Sequence, residues 1–281
     1  MRFRKFKRLL WRLFDRSHNH IQLGEGSVCD IPSEASVTET TIRINGSSRL
    51  IIEAGARITN CSIQIDSGST VTIGAGSVLD DVDICVWKQS VLTFGKDCQI
   101  NSFSFVIQKG RAVISDHNVF SNVSGTGRIP VKVEDGSLSI GDYNRLQNSM
   151  WVRFGGRLII GRYNCINNAT DIRCDESIRI GSYNMISYRC DIWDTNTHSF
   201  YSLEEKKELF PKDFPAIGKE RTKPDTKPVS MGDGNWVGKY SCILKGSVLG
   251  NEVIVATHSI VSNVTVGDGQ KVIPARSEIR S

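Results

Sequence analysis

Aliphatic residues recur along the chain in short units, without the spacing of a long amphipathic helix. Each unit reads aliphatic, glycine or small, any residue, small or Asn, any residue, and aliphatic again. The units are IEAGARI (from Ile52), IGAGSVL (Ile73), FGKDCQI (Phe94), ISDHNVF (Ile114), IGDYNRL (Ile140), IGRYNCI (Ile160), IGSYNMI (Ile180), MGDGNWV (Met231), LGNEVIV (Leu249) and VGDGQKV (Val266). Successive starts lie 21, 21, 20, 26, 20, 20, 51, 18 and 17 residues apart. This self-similarity predicts a solenoid.

The length of the repeat points to one type of solenoid. A period near 18 is three hexapeptides, one triangular coil of a left-handed parallel β-helix, and a period near 20 adds a short bulge at a corner. One aliphatic residue per face would turn inward, and the Gly, Asn and Asp residues tolerate the backbone angles of tight corners. Stacked coils would bury a continuous aliphatic core. We therefore predict an all-β, left-handed parallel β-helix of the hexapeptide-repeat type.

A right-handed solenoid is the all-β alternative, but its coils are longer and less regular than the 17- and 18-residue intervals found here. The 51-residue interval is too long for two coils, and its surplus predicts a loop excursion over residues 199–228. Long insertions of this kind often carry a binding surface or a lid, and a subunit clasp is a further interpretation.

The net charge of +5 belongs to one end of the chain. Residues 1–16 carry seven Lys or Arg and one acid, so the remaining residues sum to about −1 and do not favour nucleic-acid binding. The spacing of Phe, Leu and basic residues predicts an amphipathic helix in a segment 1–20, ahead of a β-helix domain 21–281. This helix could lie on the anionic inner face of a membrane or pack on the domain or a neighbouring subunit.

Neither a run of about 18 apolar residues nor a signal peptide is evident, so we expect a cytoplasmic protein, in peripheral membrane contact if residues 1–16 dock there.

The eight cysteines are scattered without metal-binding spacing, and we interpret them as reduced, small apolar fillers. The histidines are not spaced to hold zinc either, so no metal cofactor is expected.

Two segments flank the predicted excursion and share a pattern with a known family. The first runs from Asp194 to His198 (DTNTH), and the second contains Lys227-Pro228, Asp233, Trp236 and Gly238 in KPVSMGDGNWVG. In order, spacing and insertion, these segments resemble the hexapeptide-repeat acetyltransferases that modify sugars and cell-surface polysaccharides. The resemblance covers residues 135–281, whereas residues 22–134 share only the repeat architecture.

The resemblance implies an acyltransferase that uses acetyl-CoA to O-acetylate a sugar hydroxyl of a surface polysaccharide, such as a capsule or lipopolysaccharide, or its precursor. His198 would be the general base in a direct transfer, since imidazole can accept a proton at neutral pH. We expect Asp194, or as second choice Asp191, to orient the imidazole, and Asn196 or a backbone N–H to stabilise the oxyanion. Ser199 is not expected to be a nucleophile, since no G-x-S-x-G turn surrounds it.

The resemblance also implies a groove for CoA along the last coils, in a homotrimer with sites between subunits. The matching residues are Trp236, Gly238, Lys239, Ser241, Ala256, Thr257 and Ser259, with Lys271 and Arg276 as candidate phosphate ligands.

Two other functions stay open. One is N-acetylation of a nucleotide-linked amino sugar. The other is a non-catalytic β-helix scaffold, which is favoured by Val255-Ala-Thr-His-Ser259, where the family usually has two glycines. The sequence does not identify the sugar, its hydroxyl or the acyl group of the donor.

Overall fold

The chain folds into a three-sided solenoid built from parallel β-strands. The structure is a computed structural model that describes residues 18–122, 127–218, 220 and 222–274. Within these residues, each coil contributes one strand to each of three sheets, which we call A, B and C in the order in which the chain visits them. Each strand pairs in parallel with the strand three positions along the chain.

Each sheet contains eleven strands in the described part of the chain. Sheet A consists of β1 (His20–Leu23), β4 (Thr41–Ile44), β7 (Ser62–Ile65), β10 (Asp83–Trp87), β13 (Phe103–Gln108), β16 (Ile129–Val133), β19 (Ser149–Val152), β22 (Asp171–Cys174), β25 (Asp191–Trp193), β28 (Cys242–Leu244) and β31 (Ile260–Val261). Sheet B consists of β2 (Val28–Asp30), β5 (Arg49–Ile52), β8 (Thr70–Ile73), β11 (Val91–Phe94), β14 (Gly110–Ile114), β17 (Gly136–Ile140), β20 (Gly156–Ile160), β23 (Ser177–Ile180), β26 (Val229–Met231), β29 (Val248–Leu249) and β32 (Thr265–Val266). Sheet C consists of β3 (Ser36–Thr38), β6 (Arg57–Thr59), β9 (Val78–Asp80), β12 (Gln99–Asn101), β15 (Val119–Ser121), β18 (Arg145–Leu146), β21 (Cys165–Ile166), β24 (Met185–Ile186), β27 (Trp236–Val237), β30 (Ile254–Val255) and β33 (Lys271–Val272).

The core fills the interior of the prism. Side chains alternate in and out along each strand, so the aliphatic residues of the repeat stack on one another from coil to coil. In the N-terminal half the interior also holds four phenylalanines, Phe94, Phe103, Phe105 and Phe120, with neighbouring ring centroids 5.1 to 6.1 Å apart. Stacking of identical positions thus yields one continuous apolar column.

A ladder of buried asparagines lines the corner where sheet B turns into sheet C. Asn144, Asn164 and Asn184 each donate from the side-chain amide to the side-chain oxygen of the asparagine one coil below, at 3.0 Å in every case. The same oxygens accept the backbone N–H groups of those residues. The repeated Asn of the sequence pattern therefore satisfies the polar groups of a corner that water does not reach.

Between Trp193 and Val229 the chain leaves the wall of the solenoid. This segment contains helix α1 (Leu203–Asp213), which begins with a capping box formed by Ser202 and Glu205 and has no buried residue. Phe200 and Phe214, on either side of the helix, are 88% and 73% exposed. The segment returns to the wall through an antiparallel bridge between Thr195 and Thr226.

The prediction of an all-β parallel solenoid is confirmed by the three sheets. The basic amphipathic helix predicted for residues 1–16 lies outside the described residues. Among those that are described, no helix has both the length and the apolarity needed to cross a membrane. All eight cysteines lie in the described part of the chain and are free thiols. Burial raises the pKa of the Cys61 and Cys98 thiols to about 11, which makes them poor nucleophiles.

Candidate active site at the A/B corner

His198 lies where sheet A turns into sheet B, at the start of the excursion. The corner is fixed by the backbone, since Asn196 N–H donates to the Asp225 carbonyl at 2.9 Å and Thr197 N–H donates to Thr195 Oγ1 at 3.0 Å. Thr197 has a positive φ of 65°, which turns the chain outward just before the histidine. The His198 side chain is consequently 64% exposed.

A buried carboxylate holds the imidazole of His198. Nδ1 lies 2.6 Å from Oε1 of Glu220, whose side chain is only 7% exposed. The other carboxylate oxygen, Oε2, accepts the backbone N–H of Ser199 at 3.2 Å and its hydroxyl at 3.3 Å. An ionised Glu220 fixes the tautomer that carries its proton on Nδ1, which leaves Nε2 as a proton acceptor. This pairing is the arrangement of a general base with an orienting carboxylate.

Asp194 does not orient His198, contrary to the expectation from the sequence. Its side chain is fully buried and accepts the backbone N–H groups of Asp175, Glu176 and Ser177 at 2.8, 2.9 and 2.6 Å. Burial raises the pKa of its carboxyl group. The physical reason is that Asp194 points into the corner, where three N–H groups would otherwise be unsatisfied, while His198 points out.

Asp191, the second choice for this role, lies on sheet A with its carboxylate 3.8 Å from Cys242 Sγ, and not beside the histidine. Asn196 has its backbone engaged as described, and its role as an oxyanion ligand stays a prediction. Glu220 was missed because it is 22 residues from His198 in a polar segment without a repeat, where no spacing rule marks it.

A buried ion pair lies beneath the histidine. Arg153 forms two parallel hydrogen bonds to Asp175, from Nε at 2.9 Å and from Nη2 at 2.7 Å, with both side chains almost inaccessible to solvent. Asp175 also accepts the Thr195 hydroxyl at 2.8 Å, and Arg153 Nη2 lies 3.5 Å from the Thr197 carbonyl oxygen. The pair thus connects the coils below to Thr195 and Thr197, just ahead of His198.

A cleft of about 460 Å³ runs along this corner, a size typical of ligand sites. Its walls come from turns at the same corner in successive coils, from the adjoining strands of sheet A and from the excursion. The lining residues are Glu134, Asp135, Trp151, Arg153, Phe154, Arg173, Thr197, His198, Gly218 and Glu220. The sequence pattern singled out only His198 among them.

Aromatic rings and cations alternate up the sheet A side of the cleft. Lys132, Trp151, Arg173 and Trp193 occupy matching positions in β16, β19, β22 and β25. Lys132 Nζ lies 5.5 Å from the centre of the Trp151 ring, and the Arg173 guanidinium lies 5.7 and 5.0 Å from the Trp151 and Trp193 rings. Such stacks hold rings and guanidinium groups rigid.

Six of the residues predicted to bind CoA lie at a different corner, where sheet C turns into sheet A: Gly238, Lys239, Ser241, Ala256, Thr257 and Ser259. Gly238 approaches the next coil so closely that a Cβ there would lie 2.6 Å from the backbone nitrogen of Thr257 and 3.0 Å from the carbonyl carbon of Ala256. Any larger residue would push the two turns apart, so the close packing of the turns explains why glycine occupies this position.

Ser241 and Ser259 are buried in the wall of this corner, not directed outward. Ser241 Oγ donates to the Ala256 carbonyl at 2.9 Å, and Ser259 Oγ donates to the Val272 carbonyl at 3.5 Å. Their hydroxyls are therefore committed to the solenoid, and a contact of the backbone of these two residues with CoA stays a prediction.

The outer surface of the C/A corner is basic and aromatic. The rings of Tyr240 and His258 stack with centroids 4.9 Å apart, and Lys239 Nζ lies 4.8 Å from the Tyr240 ring. Arg189 lies 5.8 Å from the same ring. Within the described residues neither cation forms an ion pair, so both are available to an anionic ligand.

Trp236 lies on the outer face of sheet C and is 55% exposed, beside Met185, which is 61% exposed. Lys271 occupies the same column two coils further on, and Arg276 lies outside the described residues. In a three-sided prism the A/B corner is opposite sheet C. One chain alone therefore does not bring Trp236 and His198 together.

The other motif residues have structural roles. The Asp233 carboxylate accepts the backbone N–H of Ser182 at 2.6 Å, and the Lys227 backbone N–H donates to the Asp194 carbonyl at 2.9 Å. In the described part of the chain, no three His, Cys, Asp or Glu side chains are grouped so that they could hold a metal ion.

Comparison with known proteins gives structural similarities of low identity. No protein-family model matches the chain, and no curated protein matches it significantly. The polySia-specific acetyltransferase NeuO is a similar solved structure, with a TM-score of 0.36, 15% identity, and coverage of 92% of this chain and 83% of that one. The polysialic acid O-acetyltransferase OatWY has a TM-score of 0.34, 14% identity, and coverage of 94% and 93%. At these values the activity of neither protein transfers to this chain.

Proposed function

We propose that this protein is an acetyl-CoA-dependent O-acetyltransferase that acts on a sugar hydroxyl of a surface polysaccharide or its precursor. The observation that carries the proposal is the His198–Glu220 pair in the wall of a cleft, with Nε2 free to accept a proton. The resemblance of the Asp194–His198 and Lys227–Gly238 segments to hexapeptide-repeat acetyltransferases supports it.

In the proposed reaction, Nε2 of His198 accepts the proton of the acceptor hydroxyl while the hydroxyl oxygen attacks the thioester carbonyl carbon. The new C–O bond forms, the C–S bond breaks, and His198 returns the proton to the thiolate of CoA. The Asn196 amide or a backbone N–H stabilises the charge that develops on the carbonyl oxygen. Glu220 stabilises the imidazolium that forms in between.

The donor fits the C/A corner. Lys239 and Arg189 are cations without an ion pair among the described residues, and the stacked Tyr240 and His258 rings offer an aromatic surface beside them. These groups suit the phosphates and the adenine of CoA. Gly238 is itself buried, so the pantetheine arm would run over the exposed Lys239 and Thr257 on the two neighbouring turns.

A homotrimer follows as part of the proposal, since His198 and Trp236 lie on opposite sides of one prism. A cyclic arrangement would place sheet C of one copy against the A/B corner of the next and complete three equal sites. We also propose that the solenoid is left-handed, as its short coils favour. The cytoplasmic location and the membrane contact of residues 1–16 stay predictions from the sequence.

The test is acetyl-CoA binding by calorimetry and thiol release, for the parent protein and for His198→Ala. We expect both to bind CoA and the variant to release thiol about 10²- to 10⁴-fold more slowly. His117→Ala is the matched control, because this histidine stacks on Tyr143 at a remote corner. Failure of the folded parent protein to bind CoA would refute the acetyltransferase function. The non-catalytic β-helix scaffold would then be the function that remains.

A further inference from the structure

In the cleft at the A/B corner, the basic groups of the lining are paired with acidic groups, but some of the acidic groups are unpaired. Each basic group of the lining itself has an acidic partner: Arg153 pairs with Asp175, Arg173 Nε lies 2.6 Å from Asp171 Oδ2, and His198 pairs with Glu220. A ligand that enters the cleft meets these cations with their charge already neutralised.

Two carboxylates in the lining have no such partner. Glu134 is half-buried and Asp135 is exposed, and within the described residues neither side chain forms an ion pair or hydrogen bond. Lys132 lies over Trp151 beside the lining and forms no ion pair among the described residues. Counted with the described lining residues and their ion-pair partners, it makes three cations against five carboxylates when His198 is neutral. The cleft therefore carries a net negative charge.

The cleft is also longer than one sugar ring. Glu134 and Asp135 form the A/B turn three coils below the turn that carries His198, with Arg153 and Asp175 on the turns between. At strand spacing, three coils correspond to about 14 Å along the solenoid. Trp151 and Phe154 give this length an apolar wall.

We propose that the cleft binds several units of an uncharged oligosaccharide, so that the acceptor of the transferase is a neutral polysaccharide chain. Unpartnered carboxylates accept hydrogen bonds from sugar hydroxyls, and the guanidinium groups donate to ring and hydroxyl oxygens. The same carboxylates outnumber Lys132, the unpaired cation beside Trp151 in the described part of the chain, and they repel an acidic sugar. This inference rests on the proposed function and gives it a substrate class.

The first experiment is equilibrium binding by calorimetry to the full chain, without CoA. The ligands are a neutral hexose trisaccharide, the corresponding monosaccharide, and a trimer of sialic acid as the acidic probe. We expect the neutral trisaccharide to bind at least about tenfold more tightly than either of the others. The difference between neutral and acidic trimers should shrink at high ionic strength, since salt screens exposed charges.

Substitution of Glu134 and Asp135 tests whether these two carboxylates cause the preference for the neutral trisaccharide. Glu134→Gln with Asp135→Asn should narrow the preference to less than about threefold, by improving binding of the acidic trimer. The matched control is Glu25→Gln with Asp30→Asn, which removes two exposed carboxylates from the first coil and should leave the preference unchanged.

Equal or tighter binding of the sialic acid trimer by the parent would overturn the inference, and so would failure of all three sugars to bind. Thiol release from acetyl-CoA is measured separately on the same sugars. Selective binding of the neutral trisaccharide without any acetyl transfer would refute the proposed acetyltransferase function. It would still support the inference that the cleft binds a neutral oligosaccharide. Transfer to the acidic trimer in preference to the neutral one would refute only the substrate class.

Discussion

The chemistry of single residues here depends on which way each side chain faces at a corner. Asp194 and His198 are four residues apart, yet one is fully buried and the other is 64% exposed. Asp194 satisfies three backbone N–H groups, and Glu220 meets the imidazole instead. A carboxylate near a histidine in sequence is therefore not evidence that the two interact.

Substitution of Glu220 tests the positioning of the base. Glu220→Gln keeps the shape but loses the charge, so the correct tautomer and the imidazolium are no longer favoured. We expect kcat for thiol release to fall about tenfold to hundredfold, with little change in KM for acetyl-CoA. Glu208→Gln, on the exposed face of α1, is the control. An unchanged kcat for Glu220→Gln would rule out this role.

Asp191 provides a test of stability against pH. Burial, and then the charge of Asp171, raise the pKa of Asp191 above its ordinary value of 3.8. A raised pKa means that the native state binds the proton more tightly than the unfolded state, so ionisation at neutral pH destabilises the fold. Asp171 and Asp191 are direct neighbours in β22 and β25, where like charges oppose pairing.

We therefore expect Asp191→Asn to raise the free energy of unfolding at pH 7 by about 0.2–1 kcal/mol. The gain should appear as pH rises above 3.8 through the raised pKa, and it should vanish below 3.8. Urea unfolding of parent and variant across this pH range measures it. A variant that is less stable than the parent at pH 7 would contradict the expectation.

At the scale of elements, the corners are as well defined as the strands. The strands are short, several of only two residues, so the register depends on what holds each turn to the next. At the B/C corner this is the asparagine ladder, in which the side-chain oxygens of Asn118, Asn144 and Asn164 each accept two N–H groups of the following coil.

Removal of one asparagine should show how much the ladder contributes to the free energy of unfolding. Asn164→Ala leaves the backbone and side-chain N–H groups of Asn184 and the Gly181 carbonyl without this partner in a buried corner. We expect a loss of about 1–3 kcal/mol in the free energy of unfolding by urea. Asn101→Ala, at an exposed position on sheet C, should cost less than about 0.5 kcal/mol. Equal effects would mean that the ladder is not a stabilising network.

At the scale of the whole molecule, the separation of the A/B corner from sheet C decides how the proposed site is built. A monomer offers the base on one side and Trp236 on the other. Sheet C also exposes Met185 and Trp236 together, an apolar pair that a second copy would cover.

Mixing two inactive variants tests this arrangement. If His198 and Trp236 of a site come from different subunits, His198→Ala and Trp236→Ala would each be inactive alone. After unfolding and refolding together in equal amounts, random trimers should recover about a quarter of the parental thiol release, since one interface in four pairs the two intact residues. Light scattering should give the mass of a trimer. No recovery from a verified mixed trimer would place the whole site on one chain.

The sequence by itself determined the repeat, and with it the solenoid, the aliphatic core and the place of the excursion. It could do so because each coil obeys the same local rule: inward aliphatic residues, then small residues or Asn at a tight turn. It also marked His198, because a histidine at the start of the one long insertion stands out from the repeat.

Only the tertiary structure decided what surrounds that histidine. Glu220 reaches it from the excursion, and Arg153, Glu134 and Asp135 reach the cleft from earlier coils. The structure also turned the Ser241 and Ser259 hydroxyls into the wall. Residues that stack in a solenoid are about 20 positions apart in sequence, and those in an excursion follow no period. Their meeting is fixed by the register of the coils and by the path of the loop, neither of which a local pattern contains.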